Sequence, residues 1–494
     1  MAEEEQVKHI KPRYTVTVPD APKFDLQSYI ANYKGRTVFR RLYLIASCST
    51  VLREEAARLA VSEAKKGQDI NHYNDAVTLL GSVTSSKDTK DLTDSAWLSQ
   101  REKQNAAETK RLENELKQYK NNLIRESIRM GSEDLGQHYY NLGDLGRAQT
   151  SFSKMRDYCT TSAHIISTAF RMVSVAIEQK NWMGVQSQVN KVRALNLKQE
   201  EAARIQPKIS TAQGLSYMCQ GDFMEAANAF LSTEFTLGDT YNEVISSNDV
   251  AVYGGLCALA SMSRAELQSK VLDNNNFRSF LELEPHIRRA INSFCASKYS
   301  QCLEILESYR ADYLLDIYLQ DQLPRIYEKI RTRSIVQYFA PFSRVTLQSM
   351  EQMFGTPATS SASSTAAQNG STSTTSPSTV PQFQWELISM IQSGALDARI
   401  DLENAVLISH EEFPRAVMQQ HAISTVDDFI REARIKLLRL NAVNGGLDVK
   451  PSPKNAKGKD ALAGGMDLAG MVDTGNEGFG SFQGQGYSLR SGRS

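Results

Sequence analysis

An internal repeat constrains the fold of this chain more than any other feature of its sequence. At five points, spaced 37, 41, 39 and 37 residues apart, an apolar residue is followed three positions later by a small or slim side chain. The apolar residues at these points are Leu145, Trp182, Phe223, Met262 and Tyr299. A pair of helices joined by a tight turn fills such a period, and the small side chain lets the second helix pack closely on the first. The repeat therefore predicts an α-solenoid, with Met262 the weakest match.

The predicted solenoid covers residues 131–320, and its helix pairs resemble tetratricopeptide repeats. A helical region precedes it at 24–130, where the stretch from Trp97 to Met130 is predicted to be one long amphipathic helix. Residues 1–23 carry three prolines and are predicted to be disordered. The predicted fold class is therefore dominated by α-helices.

A second pattern, within residues 273–409, follows the repeats without a linker rich in proline or glycine. Apolar helical segments near Ile335–Phe339 and Val345–Phe354 come first, and a third covers Trp385–Gln392. Gly394 is placed to end the third helix, because glycine is common just beyond a helix C-terminus. An uncharged run rich in serine and threonine at 355–381 interrupts the pattern and is predicted to be a disordered insertion.

Two short segments after Gly394 have the pattern of strands. Alternate residues from Leu396 to Ile400 are apolar, Ala405–Ile408 is an apolar run, and Asp401–Asn404 between them can form a tight turn. The order helix, helix, helix, strand, turn, strand is that of a winged helix, so we expect a winged helix to follow the solenoid.

The last predicted helix covers residues 423–441, and its apolar residues recur at spacings of 3, 4, 3, 4 and 3. These residues are Ile423, Val426, Ile430, Ala433, Leu437 and Leu440. Ser424 precedes Asp427 by three positions, which predicts a capping-box start. The seam is typical of a helix in a bundle. We expect this helix to pack on helices of other chains, and the alternative is that it packs on the chain's own core. A disordered tail is predicted for 442–494.

No catalytic motif is found in the sequence. It has no P-loop, H-E-x-x-H, H-x-H or G-x-S-x-G pattern, and its seven histidines are scattered. None of its six cysteines forms a C-x-x-C pair, which is typical of reduced thiols in a cytosolic or nuclear protein. These features predict a chain that is not an enzyme and that holds neither a cofactor nor a metal.

Composition gives little support to nucleic acid or membrane as a partner. The net charge is +0, and the third helix, which would enter a DNA groove, has no lysine or arginine. No apolar run reaches the roughly 18 residues of a membrane span. The first residues, MAEEEQ, are acidic and do not have the pattern of a secretory signal.

Two basic clusters have two interpretations each: a solvated helix face, or a contact, with an acidic partner for the first cluster and with a protein for the second. One cluster comprises Lys34, Arg36, Arg40 and Arg41, and the other comprises Arg325, Lys329 and Arg333 on a single helix face.

An α-solenoid followed by a winged helix and an assembly helix resembles the PCI domain family over residues 24–440. Members of that family are scaffold subunits of the proteasome lid, the COP-nine signalosome and the translation-initiation scaffold. Three segments resemble the signalosome members most: Tyr29–Ala46, Glu126–Leu145 and Gly394–Asp401. The Ser/Thr-rich insertion departs from the compact pattern of the family.

This resemblance implies a non-catalytic subunit of an isopeptidase complex that removes a ubiquitin-like modifier from cullins, in the cytoplasm and nucleus. Its metalloprotease site would belong to another subunit. Partners would be other signalosome subunits, with cullin-RING ligases as substrates of the complex. Winged helices would meet edge to edge through Ala398, Ile400, Val406 and Ile408. The seam residues from Val426 to Leu440 would join a common bundle, and Tyr29–Ala46, with its arginines Arg36, Arg40 and Arg41, would face outward.

Three alternatives stay open at this point. The first is the homologous subunit of the proteasome lid, and the second is a winged-helix protein that binds nucleic acid. An enzyme whose catalytic residues are far apart in the sequence is the third.

Overall fold

The structure is a computed structural model that describes residues 16–84, 93–195, 198–355, 382–409 and 414–447. The described residues up to 409 belong to one compact unit, and the last helix belongs to a second. Most of the three segments predicted to be disordered lies outside these ranges.

The described residues of the N-terminal region form five helices: α1 (Leu26–Ala31), α2 (Arg36–Cys48), α3 (Arg53–Lys66), α4 (Ile70–Thr84) and α5 (Ser95–Asn121). The described part of the segment 1–23 is ordered, contrary to the prediction. The amide of Val18 donates to Cys48 O at 2.9 Å, and the amide of Thr50 donates to Val18 O at 3.1 Å. The side chain of Val18 is buried, so this stretch is tied to the end of α2.

The predicted single helix from Trp97 to Met130 is two helices. The first, α5, ends at Asn121, and α6 (Arg125–Leu142) starts four residues later. Leu123 between them has a φ of 55°, which an α-helix does not accommodate. The predicted start of the repeats at residue 131 therefore lies inside α6. The boundary between the two helices is at Leu123.

The repeats are confirmed as successive helix pairs: α6 with α7 (Leu145–Arg156), α8 (Ser162–Glu178) with α9 (Trp182–Arg193), and α10 (Gln199–Gln220) with α11 (Phe223–Leu231). Helix α12 (Ser247–Ser261) follows these pairs, and a later pair has its second helix starting at Tyr299. Four of the five apolar residues, all except Met262, are the first residue of the second helix in a pair. The small residues three positions later are fully buried: Ala148, Val185, Ala226 and Cys302.

Met262 departs from this pattern because it ends a helix instead of starting one. It follows α12 with an extended backbone, and its side chain is fully buried. Ser263 then forms a capping box with Glu266, and the chain continues as a π-helix over Leu267–Leu272.

The next helices are α13 (Asn275–Leu283), α14 (Pro285–Cys295), α15 (Tyr299–Ser308), α16 (Arg310–Leu314) and α17 (Leu323–Phe339), the last of which is the first helix of the winged helix. They share one continuous hydrophobic core with the N-terminal helices and the winged helix. A smaller core lies among α5, α6, α7 and α8, where Gly136 allows the ring of Phe152 to approach α6 closely.

The winged helix comprises α17, β1 (Arg344–Thr346), α18 (Leu347–Phe354), α19 (Gln382–Gln392), β2 (Ala398–Asp401) and β3 (Val406–Ser409). The antiparallel sheet has the order β1-β3-β2, and Leu407 at its centre pairs with Val345 and Ile400. The predicted helix at Val345–Phe354 is therefore wrong in its first two residues, which complete β1. Thr346 caps α18 by accepting from the amide of Ser349 at 3.3 Å.

One arginine holds the three helices of this module together. Arg331 on α17 donates to the carboxylate of Glu386 on α19 at 2.6 and 3.0 Å, and to the carbonyl of Phe354 at the end of α18 at 2.6 Å. Gly394, with a φ of 73°, ends α19 as predicted.

The described residues of the second unit form one helix, α20 (Pro414–Asn444). It begins ten residues before the predicted start at Ser424, and it includes the first residues of the segment predicted as a disordered tail. The hydroxyls of Ser424 and Thr425 donate to the carbonyl of His421 at 2.9 and 2.8 Å. Both residues therefore sit inside a continuous helix, and no capping box forms there.

Candidate assembly interface

Helix α20 exposes an apolar surface along most of its length. Four of the predicted seam residues, Val426, Ile430, Leu437 and Leu440, are 54%, 40%, 62% and 59% exposed, and Ala433 is half-buried. Further exposed apolar residues, which the seam pattern did not include, are Met418, Phe429, Ile435, Leu438 and Val443. A soluble monomer rarely exposes a contiguous surface of this kind.

The polar side chains of α20 pair within the helix. Asp428 contacts Arg431 at 3.6 Å, and Glu432 contacts Lys436 at 2.8 Å, at spacings of three and four residues. A helix of 31 residues is about 46 Å long, enough to span a bundle of other helices. The arrangement provides a long apolar surface with solvated ion pairs beside it.

The sheet of the winged helix offers a second candidate contact. In the part of the chain that the structure describes, β1 and β2 are the two edges of the sheet. The side chains of Val406 and Ile408 are partly exposed on the face opposite Leu407. Ala398 is buried, so its side chain is not available to a partner as predicted, and Ile400, which is partly buried against the core, offers only part of its side chain. An edge contact at β2 would therefore rely on its backbone.

Helix α19, at the position of a DNA recognition helix, has no basic residue. Its Trp385 is 59% exposed, and its Glu386 carboxylate is paired with Arg331. A surface of this composition offers no cation to a phosphate backbone. This disfavours the nucleic-acid hypothesis.

The basic cluster of α2 meets acidic partners inside the chain. Arg36 contacts Asp69 at 2.9 Å and Glu178 at 3.0 Å, which links α2 to α4 and α8. Tyr140 donates to the same Glu178 carboxylate at 2.5 Å. Arg40 is partly exposed. Arg36 thus joins helices of its own chain, and the prediction that it faces a partner is wrong.

Arg41 is fully buried at the centre of a polar network. Its guanidinium contacts Asp249 at 2.9 Å and Asp316 at 2.7 Å, and it lies 3.9 Å from the ring centroid of Tyr33. The hydroxyls of Tyr33 and Tyr253 donate to these two carboxylates, each at 2.8 Å. The Tyr29–Ala46 segment therefore docks inward through Arg41, contrary to the predicted outward orientation.

Burial raises the pKa of Asp249 to about 6, although Arg41 acts in the opposite direction. A buried carboxylate of this kind depends on its cationic partner. Through this network the N-terminal region, the helix pairs and the segment before the winged helix are held in one arrangement. The sequence showed the basic cluster, but nothing in it identified Asp249 and Asp316 as partners, because they lie more than 200 residues away.

The second basic cluster lines an open groove of about 900 Å³ between α11 and α17. Arg325 and Lys329 are exposed, with the Lys329 ammonium 4.8 Å from the ring centroid of Phe223. Arg333 donates to the carbonyl of Met262. Acidic residues line the same groove, so it is not a basic surface.

The described ranges contain no group of three His, Cys, Asp or Glu side chains that could hold a metal ion. The cysteines in them form no disulfide, and burial raises the pKa of the Cys302 thiol to about 12, which keeps it protonated and unreactive at neutral pH. No helix in these ranges is long and apolar enough to cross a bilayer.

Helix pairs that run directly into a winged helix define the class of PCI-domain proteins. Comparison with family models supports this class. Residues 306–411 match the PCI domain, and residues 94–270 match the family described as 26S proteasome subunit RPN7.

Comparison with curated proteins narrows this class. The chain is 52% identical to COP9 signalosome complex subunit 1 of Emericella nidulans over 446 residues, which cover 90% of this chain and 87% of that protein. It is 38% identical to the Arabidopsis thaliana protein of the same name, over 84% and 89% of the two chains. A 26S proteasome non-ATPase regulatory subunit 6 from Oryza sativa is 24% identical over 47% of this chain. The chain belongs to the COP9 signalosome complex subunit 1 family.

Proposed function

We propose that this chain is a non-catalytic scaffold subunit of the COP9 signalosome, which removes a ubiquitin-like modifier from cullins and so regulates cullin-RING ubiquitin ligases. One observation carries the proposal: helix α20, taken by itself, presents an apolar surface along most of its length. Burial of that surface against helices of other subunits gains about 25 cal/mol for each Å² removed from water.

The winged helix contributes a second contact in this proposal. The edge strands β1 and β2 can align with the winged helices of neighbouring PCI subunits, and Val406 and Ile408 supply apolar area beside them. The contact at α20 sets membership of the complex, and the contact at the sheet sets which subunits are neighbours.

Catalysis is assigned to another subunit of the complex. The chain's own contribution is rigidity, since the ion pairs of Arg36 with Glu178 and of Arg41 with Asp249 fix the N-terminal region on the repeat helices. Cullin-RING ligases are the substrates of the assembled complex, which acts in the cytoplasm and nucleus.

The homologous proteasome-lid subunit is the alternative within this fold. The match to the rice proteasome subunit covers 47% of this chain at 24% identity, against 90% at 52% for the Emericella signalosome subunit. The difference in both coverage and identity favours the signalosome.

The proposal is tested by Leu437→Asp, which places a charge in the α20 seam. We expect the variant to be excluded from the complex, while its helix pairs and winged helix melt at the wild-type temperature, because α20 belongs to a separate unit. The measurement is co-purification of other signalosome subunits with the tagged chain.

Ser424→Asp is the matched control. It adds the same charge on the opposite face of α20, about 140° around the helix from Leu437. This control is expected to assemble normally. Wild-type incorporation of Leu437→Asp would refute the role of the seam, and equal loss in both variants would show a general effect of charge on α20.

A further inference from the structure

A cavity of about 230 Å³ lies between the N-terminal segment, α12 and the stretch from α14 to α16. It is smaller than the roughly 300–1,000 Å³ of sites for drug-sized ligands, so it fits a small group or the end of a side chain. Six aromatic side chains line it: Phe24, Tyr29, Tyr33, Tyr253, Tyr309 and Tyr313. None of the contacts assigned to assembly above uses this cavity.

The cavity walls carry an excess of negative charge. Among the described residues, four carboxylates line it, from Asp249, Glu284, Asp312 and Asp316, against a single lysine, Lys23. Arg41 behind the wall compensates one further carboxylate through its contacts with Asp249 and Asp316. Two negative charges are left over. Burial raises the pKa of Asp312, an effect that a cation placed beside it would oppose.

Two buried polar groups in the same wall have no hydrogen-bond partner among the described residues. They are Nε2 of His286 and the hydroxyl of Tyr313, on residues that are 6% and 3% exposed. Nδ1 of His286 lies 3.3 Å from the Glu284 carboxylate, which favours the tautomer with a proton on Nδ1. Nε2 is then an acceptor, so an occupant that donates N–H groups would satisfy it.

The rim of the cavity already attracts an ammonium group. The Lys23 ammonium lies 3.9 Å from the ring centroid of Tyr309, and the Lys23 amide donates to Asp312 at 2.8 Å. The His286 ring stacks on the Tyr309 ring, with 4.0 Å between their centroids. Aromatic faces together with carboxylates are the chemistry that recognises organic cations.

We propose that this cavity binds an organic cation, the ammonium or guanidinium group of a small amine or of a lysine or arginine side chain. The carboxylates exclude anions. A metal ion is disfavoured because, in the part of the chain that is described, no three metal-binding side chains converge. The orphaned acceptors and the aromatic walls both match an N–H donor with a positive charge.

The test is ligand-observed NMR on the purified full chain, with four probes. Two are N-acetyl-lysine methylamide and N-acetyl-arginine methylamide, the third is spermidine, and the fourth is the neutral isostere N-acetyl-norleucine methylamide. At least one cationic probe is expected to show saturable transfer, and norleucine none. Tighter binding of spermidine would identify a small amine as the source of the cation, and tighter binding of an amino-acid probe would identify a peptide side chain.

The double variant Glu284→Gln/Asp312→Asn removes two charges and keeps the oxygens that accept from Asn248 and Lys23. We expect it to bind the cationic probe about tenfold more weakly or worse, because both carboxylates are close to the proposed position of the charge. The control, Glu304→Gln/Glu307→Gln, removes two exposed charges from α15 and should bind as the wild type does.

Three results would overturn the proposal: no cationic probe binds, norleucine binds as well as lysine, or the double variant keeps wild-type affinity. Melting temperatures of both double variants show whether any loss reflects unfolding. If the Glu284/Asp312 variant does not fold, the comparison of lysine with norleucine on the wild-type chain decides the question by itself.

Discussion

Replacing Arg41 with methionine tests the claim that the N-terminal region is held by a buried ion network. Methionine keeps the length and most of the apolar volume of the side chain but removes its charge. Asp249 and Asp316 are then left buried without a cation, each 5% to 6% exposed. Breaking a buried pair in this way costs about 3–5 kcal/mol of unfolding free energy, which lowers the melting temperature by roughly 5–10 °C.

The loss is also expected to depend on pH. The pKa of Asp249 is about 6 in the folded chain against an ordinary value of 3.8, so between these values the folded state binds the proton more tightly. The stability contributed by that proton is present below the lower value and is lost as pH rises through the folded pKa. Arg41 lowers this pKa, so Arg41→Met raises it further and extends the loss towards neutral pH.

Thermal unfolding followed by circular dichroism measures both effects. The gap in melting temperature between wild type and Arg41→Met should be larger at about pH 7.5 than at about pH 5.5. Arg58→Met is the matched control, because Arg58 pairs with Glu54 on the surface, where the two side chains are 68% and 56% exposed. That pair contributes about 0–1 kcal/mol. Equal effects of the two substitutions, or an equal gap at both pH values, would refute the reasoning.

Two further predictions concern the helix pairs and the insertion. Gly136→Ala should lower the free energy of unfolding by about 1–3 kcal/mol, because the new Cβ would lie 2.6 Å from the Phe152 ring. Gly146→Ala is the control: its Cβ would lie 3.8 Å from the nearest atom, on Asp144, so the substitution should stabilise α7 by up to about 1 kcal/mol. Urea unfolding measures both, and a stabilised Gly136→Ala would contradict the packing described. Deletion of residues 356–380 should leave assembly intact, as judged by co-purification, and failure to assemble would show that the insertion takes part in it.

The repeats could be read from the sequence because their signal is local. An apolar residue and a small residue three positions later define where a second helix starts and how closely it packs, and four of the five points are confirmed. A helix at α20 could also be predicted from the apolar spacing, whereas its N-terminus could not, and the role of its seam stays a prediction. Ser424 has the chemistry of a cap, but its hydroxyl bonds to the preceding turn, and the helix continues through it.

Features that depend on distant residues could not be predicted from the sequence. Val345 pairs with Leu407, 62 residues away, and this pairing makes a strand from residues that have an apolar helical pattern. The α2 arginines form a basic cluster in the sequence, yet Arg36 and Arg41 are paired with Asp69, which directly precedes α4, and with acids on α8 and α12. Leu123 breaks a helix although its residue type favours one.

The central claim is that this chain assembles with other signalosome subunits through α20. The most direct measurement is native mass spectrometry of the complex that co-purifies with the tagged chain, together with an assay of its isopeptidase activity on modified cullin. We expect an assembly of several different PCI-domain subunits that carries this activity and that is lost with Leu437→Asp. A lone monomer, or a complex with proteasomal ATPases, would contradict it.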